Sequence, residues 1–144
     1  SDPYFQAPPP KSTGLEYFNL DWLQQRLQSL SSRPAPQDVQ ATLLELTASS
    51  IANAIHAIDD SPGSIWLCGG GVHNLQLIKR LTALCKNHRI VSTTEIGVPP
   101  DWLEAMCFAW LAQQTLQGLP GNLPSVTGAK CSSILGAIYP ANTL

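Results

Sequence analysis

The 144-residue chain sets eight lysines and arginines against ten acids, and its net charge of −2 excludes a broad basic field for nucleic acid or anionic lipid. Hydrophobic residues make up 44% and charged residues 12%, about half the usual charged content, so either apolar surface meets another protein surface or a Gln-, Ser-, Thr- and Asn-rich coat covers it. The length sets one compact domain with a real core as the default, no apolar run approaches the ~20 residues of a membrane span, and the polar, proline-rich start is not a signal peptide.

Pro8-Pro9-Pro10 favours an extended, polyproline-like path. Lys11-Ser12-Thr13-Gly14 follows, as a contact with a ligand or partner domain or as a plain surface loop. Leu20, Trp22, Leu23, Leu27 and Leu30 predict a helix, with Asn19 or Asp21 as N-cap. Pro34 and Pro36 break it, and a mobile linker is expected there. The longest periodic stretch, residues 37–58, carries Val39, Leu43, Leu46, Ile51, Ile55 and Ile58 with Ala41, Ala48 and Ala52 between. A helix so poor in charge is expected to pack on more than one side. Residues 59–63 close it with a turn.

The run from Ser64 to Leu67 predicts a short buried strand, and Gly69-Gly70-Gly71 a turn into a helix that begins near Asn74 and runs to Cys85. Backbone N–H groups at a positive helix end suit phosphate. The spacing is neither GxGxxG nor GxxxxGK[ST], so a phosphate or nucleotide site and a plain tight turn both stand open. Residues 89–92 predict a second strand and 93–100 a loop. Strand, helix, strand is then a parallel crossover, with Gly69 to Gly71 and Thr93 to Glu95 at one rim. Pro100 to Gln117 predicts the next helix, with Asp101 as N-cap and Glu104 either reaching back in a capping box or presented into a cleft. Cys107, Phe108, Trp110 and Leu111 are expected in the core, 118–128 in a loop and 133–139 in a last strand.

His56, His73 and His88 lie far apart and pair with no cysteine or carboxylate at ligand spacing, so no metal site is expected. Cys68, Cys85, Cys107 and Cys131 show no CxxC pair and read as reduced, mostly buried thiols of a cytoplasmic protein. No GxSxG or Ser-His-Asp pattern stands out.

Four stretches carry more when taken in order: Pro8 to Gly14, Cys68 to Asn74, Asp101 to Ala105 with Phe108 to Ala112, and Gly121 to Ala129. Together they resemble the C-terminal portion of the anhydro-N-acetylmuramic acid kinases. The resemblance implies an α/β fold, the C-terminal lobe of the actin, sugar kinase and Hsp70-like ATPase (ribonuclease H-like) architecture. It also implies a reaction in which ATP with Mg²⁺ and water open and phosphorylate the anhydro amino sugar, yielding N-acetylmuramic acid 6-phosphate in cell-wall recycling. Carried over, Gly69, Gly70, Gly71 and Asn74 lie against the nucleotide, and Glu104 becomes a substrate-side acid while Asp101 stays a cap. Residues 1–36 then form an extended entry with a short helix and linker, and 37–144 the nucleotide-binding lobe.

The family's phosphate loop and catalytic aspartate belong to its N-terminal lobe, so that lobe is the implied partner, no catalytic residue is expected in this chain, and the chain alone is expected to be inactive. A homodimer is implied for the complete enzyme, with no nucleic acid or membrane partner. Leu15 stands where the family usually has arginine. The competing readings are a non-catalytic nucleotide-binding or interaction module, and a structural domain whose glycine turn is blocked by a side chain such as His73.

Overall fold

The computed structural model describes residues 2–140. They fall into two compact units, Ser12–Pro100 and the described parts of Ser1–Lys11 and Asp101–Leu144, a partition that does not coincide with 1–36 and 37–144.

Within Ser12–Pro100, helix α2 (Leu20–Gln28) starts where Asn19 accepts the Trp22 N–H at 2.9 Å through its side chain. Helix α3 (Pro36–Ile58) begins with proline at its first turn, where the missing N–H costs nothing. Strand β1 (Gly63–Leu67), helix α4 (Leu75–Leu84) and strand β2 (His88–Ser92) complete the unit. The two strands pair in parallel, Gly63 opposite His88 and Leu67 opposite Ser92, so the crossover read from sequence is formed. The core is small: Ala48 and Ala52 on α3, Leu81 on α4, Cys85 just beyond it, and Val91 in β2. The two alanines let α3 and α4 approach closely, as methyl-sized side chains allow.

Helix α3 has neighbours on two sides: Ala48 and Ala52 are buried on the α4 side, and half-buried Val39, Leu43 and Leu46 line a cleft with Trp22, Leu23 and Leu27 of α2, while Ile51 and Ile58 stay exposed. One expectation fails in this unit. Strand β1 is not buried: Ser64 is exposed, Ile65 and Leu67 are half-covered, and Trp66 stays open to solvent. The apolar pattern is present, and the layer that would cover it is absent among the described residues.

Across the α3–α4 seam, Arg80 grips Glu45 through two hydrogen bonds, Nε to Oε2 at 2.6 Å and Nη2 to Oε1 at 2.9 Å. The bond from Arg80 holds the Glu45 carboxyl below its ordinary range. A carboxyl depressed on folding contributes stability that is full above its unfolded pKa and is lost as pH falls through the folded one. Glu45→Gln is therefore expected to lower the urea midpoint at pH 7. The gap to the parent should close as pH falls through and below the carboxylate range. A gap that persists in acid would mean that packing, not charge, holds the seam.

In the other unit, Asp2 caps the short helix α1 (Pro3–Gln6), accepting the Tyr4 N–H at 3.0 Å. Lys11 folds back onto it, its Nζ 3.1 Å from the Tyr4 carbonyl oxygen and 5.0 Å from the Tyr4 ring centroid. The Pro9–Pro10 peptide is cis, so the triple proline is not a continuous polyproline path.

Helix α5 (Leu103–Leu116) follows a 3₁₀ turn over Pro100–Trp102, and helix α6 (Pro124–Thr127) ends at Gly128 in the left-handed region. A side chain at Gly128 would press on Pro10 at 3.0 Å.

The strand expected over 133–139 does not form, because no other strand runs beside it among the described residues. Side chains hold its first half instead. Asn122 accepts the Ser133 N–H at 2.6 Å and donates to the Cys131 carbonyl at 3.0 Å, and the Thr115 hydroxyl lies 2.7 Å from the Leu135 carbonyl. No described helix is long and apolar enough to cross a membrane.

Candidate nucleotide half-site

Strand β1 runs out at Leu67, and the chain turns at Gly69 with φ 71° and ψ −177°, a region that in practice only glycine occupies. The Gly69 N–H donates to the Pro100 carbonyl at 2.9 Å, which pins the turn to the segment leaving the unit. A 3₁₀ turn over Gly70–His73 follows, closed by Val72 N–H to Gly69 O and Asn74 N–H to Gly71 O, each at 3.1 Å. As its first residues, Gly70 and Gly71 have N–H groups with no partner inside the turn.

Asn74 then caps α4, its Oδ1 accepting the Leu77 N–H at 3.1 Å, and the first turn of α4 holds no acidic residue. The positive end of a ten-residue helix is left unopposed by its own sequence. With Oδ1 engaged, the amide nitrogen of Asn74 is the side-chain group that a ligand can meet.

Among the described residues, chain neighbours aside, no atom lies within 4 Å of a Cβ built at Gly69 or Gly70, and at Gly71 the nearest is Leu77 Cδ2 at 3.9 Å. The His73 side chain does not come within 4 Å of any of these three Cβ positions. Backbone N–H groups at a helix start are donors of the kind that anions accept from.

The register brings a second segment to this rim. Leu67 stands opposite Ser92, so the chain beyond β2 leaves at the same strand end as the glycines. There a 3₁₀ turn (Thr93–Ile96) starts where Ser92 accepts the Thr94 N–H at 3.2 Å through its hydroxyl, and ends at Gly97 in the left-handed region. Glu95 is engaged by Arg89 at 2.7 Å. Thr93 is buried, and its hydroxyl has no hydrogen-bond partner among the described residues, which sequence reading did not foresee.

Gly69, Gly70, Gly71 and Asn74 thus share one turn, whereas Glu104 belongs to the other compact unit, exposed in the first turn of α5. Asp101 is not the N-cap of α5. The chain enters that helix through the 3₁₀ turn containing Asp101, and the cap position falls to Trp102, whose side chain makes no capping bond.

The expectation of mostly buried thiols is also overturned. Cys68 at the strand end, Cys107 on α5 and Cys131 in the closing loop are exposed. Cys85 alone is buried, and burial pushes its thiol up, away from reactivity. His56 is exposed on α3, with its Nε2 3.6 Å from Asp60 and its ring 6.4 Å from that of His88.

The family model described as anhydro-N-acetylmuramic acid kinase matches residues 1–141. A Coxiella burnetii protein of that name is 61% identical over 139 residues, covering 96% of this chain and 37% of the relative. Namesakes in Pseudomonas fluorescens and Bordetella pertussis are 52% and 51% identical, covering 97% and 98% of this chain but 38% and 37% of their own lengths. The chain thus spans little more than a third of these curated relatives. With its glycine turn, capped helix and nearly every residue inside the matched range, the chain belongs to the anhydro-N-acetylmuramic acid kinase family.

Proposed function

We propose that this chain is the C-terminal lobe of an actin- and sugar-kinase-like enzyme that uses Mg-ATP and water to open and phosphorylate 1,6-anhydro-N-acetylmuramic acid. The single observation behind this reading is the open turn Gly69–Gly71 leading into the Asn74-capped helix α4, in a chain matched to the kinase family over 1–141. In this reading Gly70 and Gly71 offer backbone N–H groups to the nucleotide, Asn74 adds its amide, and Glu104 contributes an acid on the sugar side. Mg²⁺ is shared with the remaining lobe, which supplies the catalytic base and the phosphate loop. That lobe is the partner within the enzyme, a homodimer is the assembly, and the cytoplasm is the compartment.

Amide NMR of the chain titrated with Mg-ADP tests the half-site. Saturable shifts are expected at Gly69, Gly70, Gly71 and Asn74. Gly70→Ala should leave stability within about 0.5 kcal/mol, since a Cβ there meets nothing, yet weaken ADP about tenfold or more by crowding the phosphate. Equal ADP affinity in the variant would remove the nucleotide from this turn. No shift at about 1 mM ADP would overturn binding by the chain alone.

Given Mg-ATP and the anhydro sugar, the chain alone should show no phosphotransfer, because loss of a general base costs about 10²–10⁴ in rate and loss of phosphate positioning most of the rest. Turnover by the isolated chain would refute the division of labour between lobes.

A further inference from the structure

Three hydroxyls stand in a row where the chain leaves β2, and two of them satisfy each other. The Ser92 and Thr94 hydroxyls lie 2.9 Å apart, and Ser92 also accepts the Thr94 N–H. Thr93 between them is 5% exposed, and its hydroxyl oxygen, sealed from solvent, meets no partner among the described residues. A buried hydroxyl left unbonded costs free energy, so a fold that keeps one calls for an explanation.

The backbone fixes where that side chain points. The Thr93 carbonyl accepts the Val98 N–H at 3.1 Å, which holds the residue in place. Ser92 is extended, with φ −81° and ψ 145°, so the alternation of the strand carries through it and puts Thr93 on the same face as Val91. Val91 is buried, on the face against which α4 packs. In the parallel crossover α4 begins at the strand end where Thr93 lies. The side chain of Thr93 is therefore aimed at the start of α4 and the glycine turn that leads into it. No acid stands in the first turn of α4, and Glu95 close by is engaged by Arg89.

We propose that Thr93 is a further nucleotide-binding residue of this half-site, its hydroxyl donating to a phosphate oxygen that the start of α4 also holds. This rests on the reading of Gly69–Gly71 as a nucleotide turn. A hydroxyl and backbone N–H groups converging at a positive helix end suit an oxyanion, whereas a cation would meet donors and a like-signed dipole. Reaching the sealed hydroxyl requires the turn to shift. Gly70 permits this: its backbone rotates freely, and no atom beyond its chain neighbours lies within 4 Å of a Cβ built there.

Thr93→Val replaces the hydroxyl by a methyl of similar size, and Thr93→Ser keeps it. Both are compared with the parent chain in amide NMR titrations with Mg-ADP and with adenosine, and in urea unfolding. Thr93→Val should weaken Mg-ADP about tenfold or more, leave the adenosine response unchanged and unfold at a urea midpoint no lower than the parent's. Thr93→Ser should bind Mg-ADP within about threefold of the parent, because the donor is retained.

Unchanged Mg-ADP affinity in Thr93→Val overturns the proposal. Equal weakening of adenosine does so as well, since the loss would then be a general disturbance of the turn. A Thr93→Val chain that is less stable than the parent, or unfolded, also overturns it, because the hydroxyl would already hold a buried partner such as water. So does a Thr93→Ser variant as weak as Thr93→Val. If the parent itself shows no saturable shift with Mg-ADP, the half-site reading falls and takes the ligand of Thr93 with it. A parent that binds beside an indifferent Thr93→Val sinks the role of Thr93 alone.

Discussion

Leu81→Ala is expected to cost about 2–5 kcal/mol, a large share of the roughly 5–15 kcal/mol that holds a domain of this kind together. Leu81 is 2% exposed and is the largest side chain among the five apolar residues of the core, the others being two alanines, a cysteine and a valine. Truncating it leaves a hole on the buried side of α4, where the small side chains Ala48 and Ala52 of α3 have little reach to fill it. Leu75→Ala is the control on the same helix: Leu75 is 76% exposed, and its loss should stay within about 0.5 kcal/mol. Urea unfolding followed by circular dichroism measures both. Equal costs would mean that α4 is not seated on this core.

Gly69→Ala should lower stability by about 1–3 kcal/mol, through backbone conformation alone. Among the described residues, a Cβ at that position meets no atom within 4 Å beyond the glycine and its chain neighbours, so the penalty is not a clash with a distant side chain. It comes from φ 71° with ψ −177°, which places a Cβ against its own backbone. Relief requires the turn to rotate, and rotation draws the Gly69 N–H off the Pro100 carbonyl. The amide of Gly69 should therefore lose its hydrogen-exchange protection in the variant. Gly70→Ala, which has space and no positive φ, should not lose it. Identical stabilities for the two variants would contradict the conformation described for the turn.

Local chemistry made part of this fold legible in advance. Asn19 and Asn74 each stand just before an apolar-periodic run, and each proves to be a side-chain cap. Strand, glycine turn, helix and strand follow one another as the pattern indicates, because adjacent elements can pair without help from elsewhere. Pattern cannot say whether a partner layer lies in the same chain. Cys107, Phe108 and Trp110 of α5 read as core, yet they are exposed, and Leu111 is only half-buried. The β-branched and apolar run 133–139 reads as a strand, yet with no neighbour to hydrogen-bond it is held by Asn122 and Thr115 instead.

Asp101 departs from the capping pattern for a different reason. Consecutive prolines at 99 and 100 signal a helix start but not that a 3₁₀ turn comes first. Of the candidate site, the clustering of Gly69, Gly70, Gly71 and Asn74 was legible because all lie within six residues of one another. The buried, unpartnered Thr93 was not, since nothing in Thr93-Thr94 tells which hydroxyl turns inward.

The parallel pairing has a consequence for the order of events during synthesis. Gly63 finds His88, and Leu67 finds Ser92, only after twenty-five further residues have been made. A parallel partner cannot be reached by a tight hairpin. At about 5–20 residues per second, β1 waits on the order of one to five seconds for the edge of β2. Through that interval α3 is already complete, and α4 can dock on it by the Glu45–Arg80 grip and the alanine seam before the β1–β2 ladder forms. The helical pair can thus serve as the template on which this ladder closes.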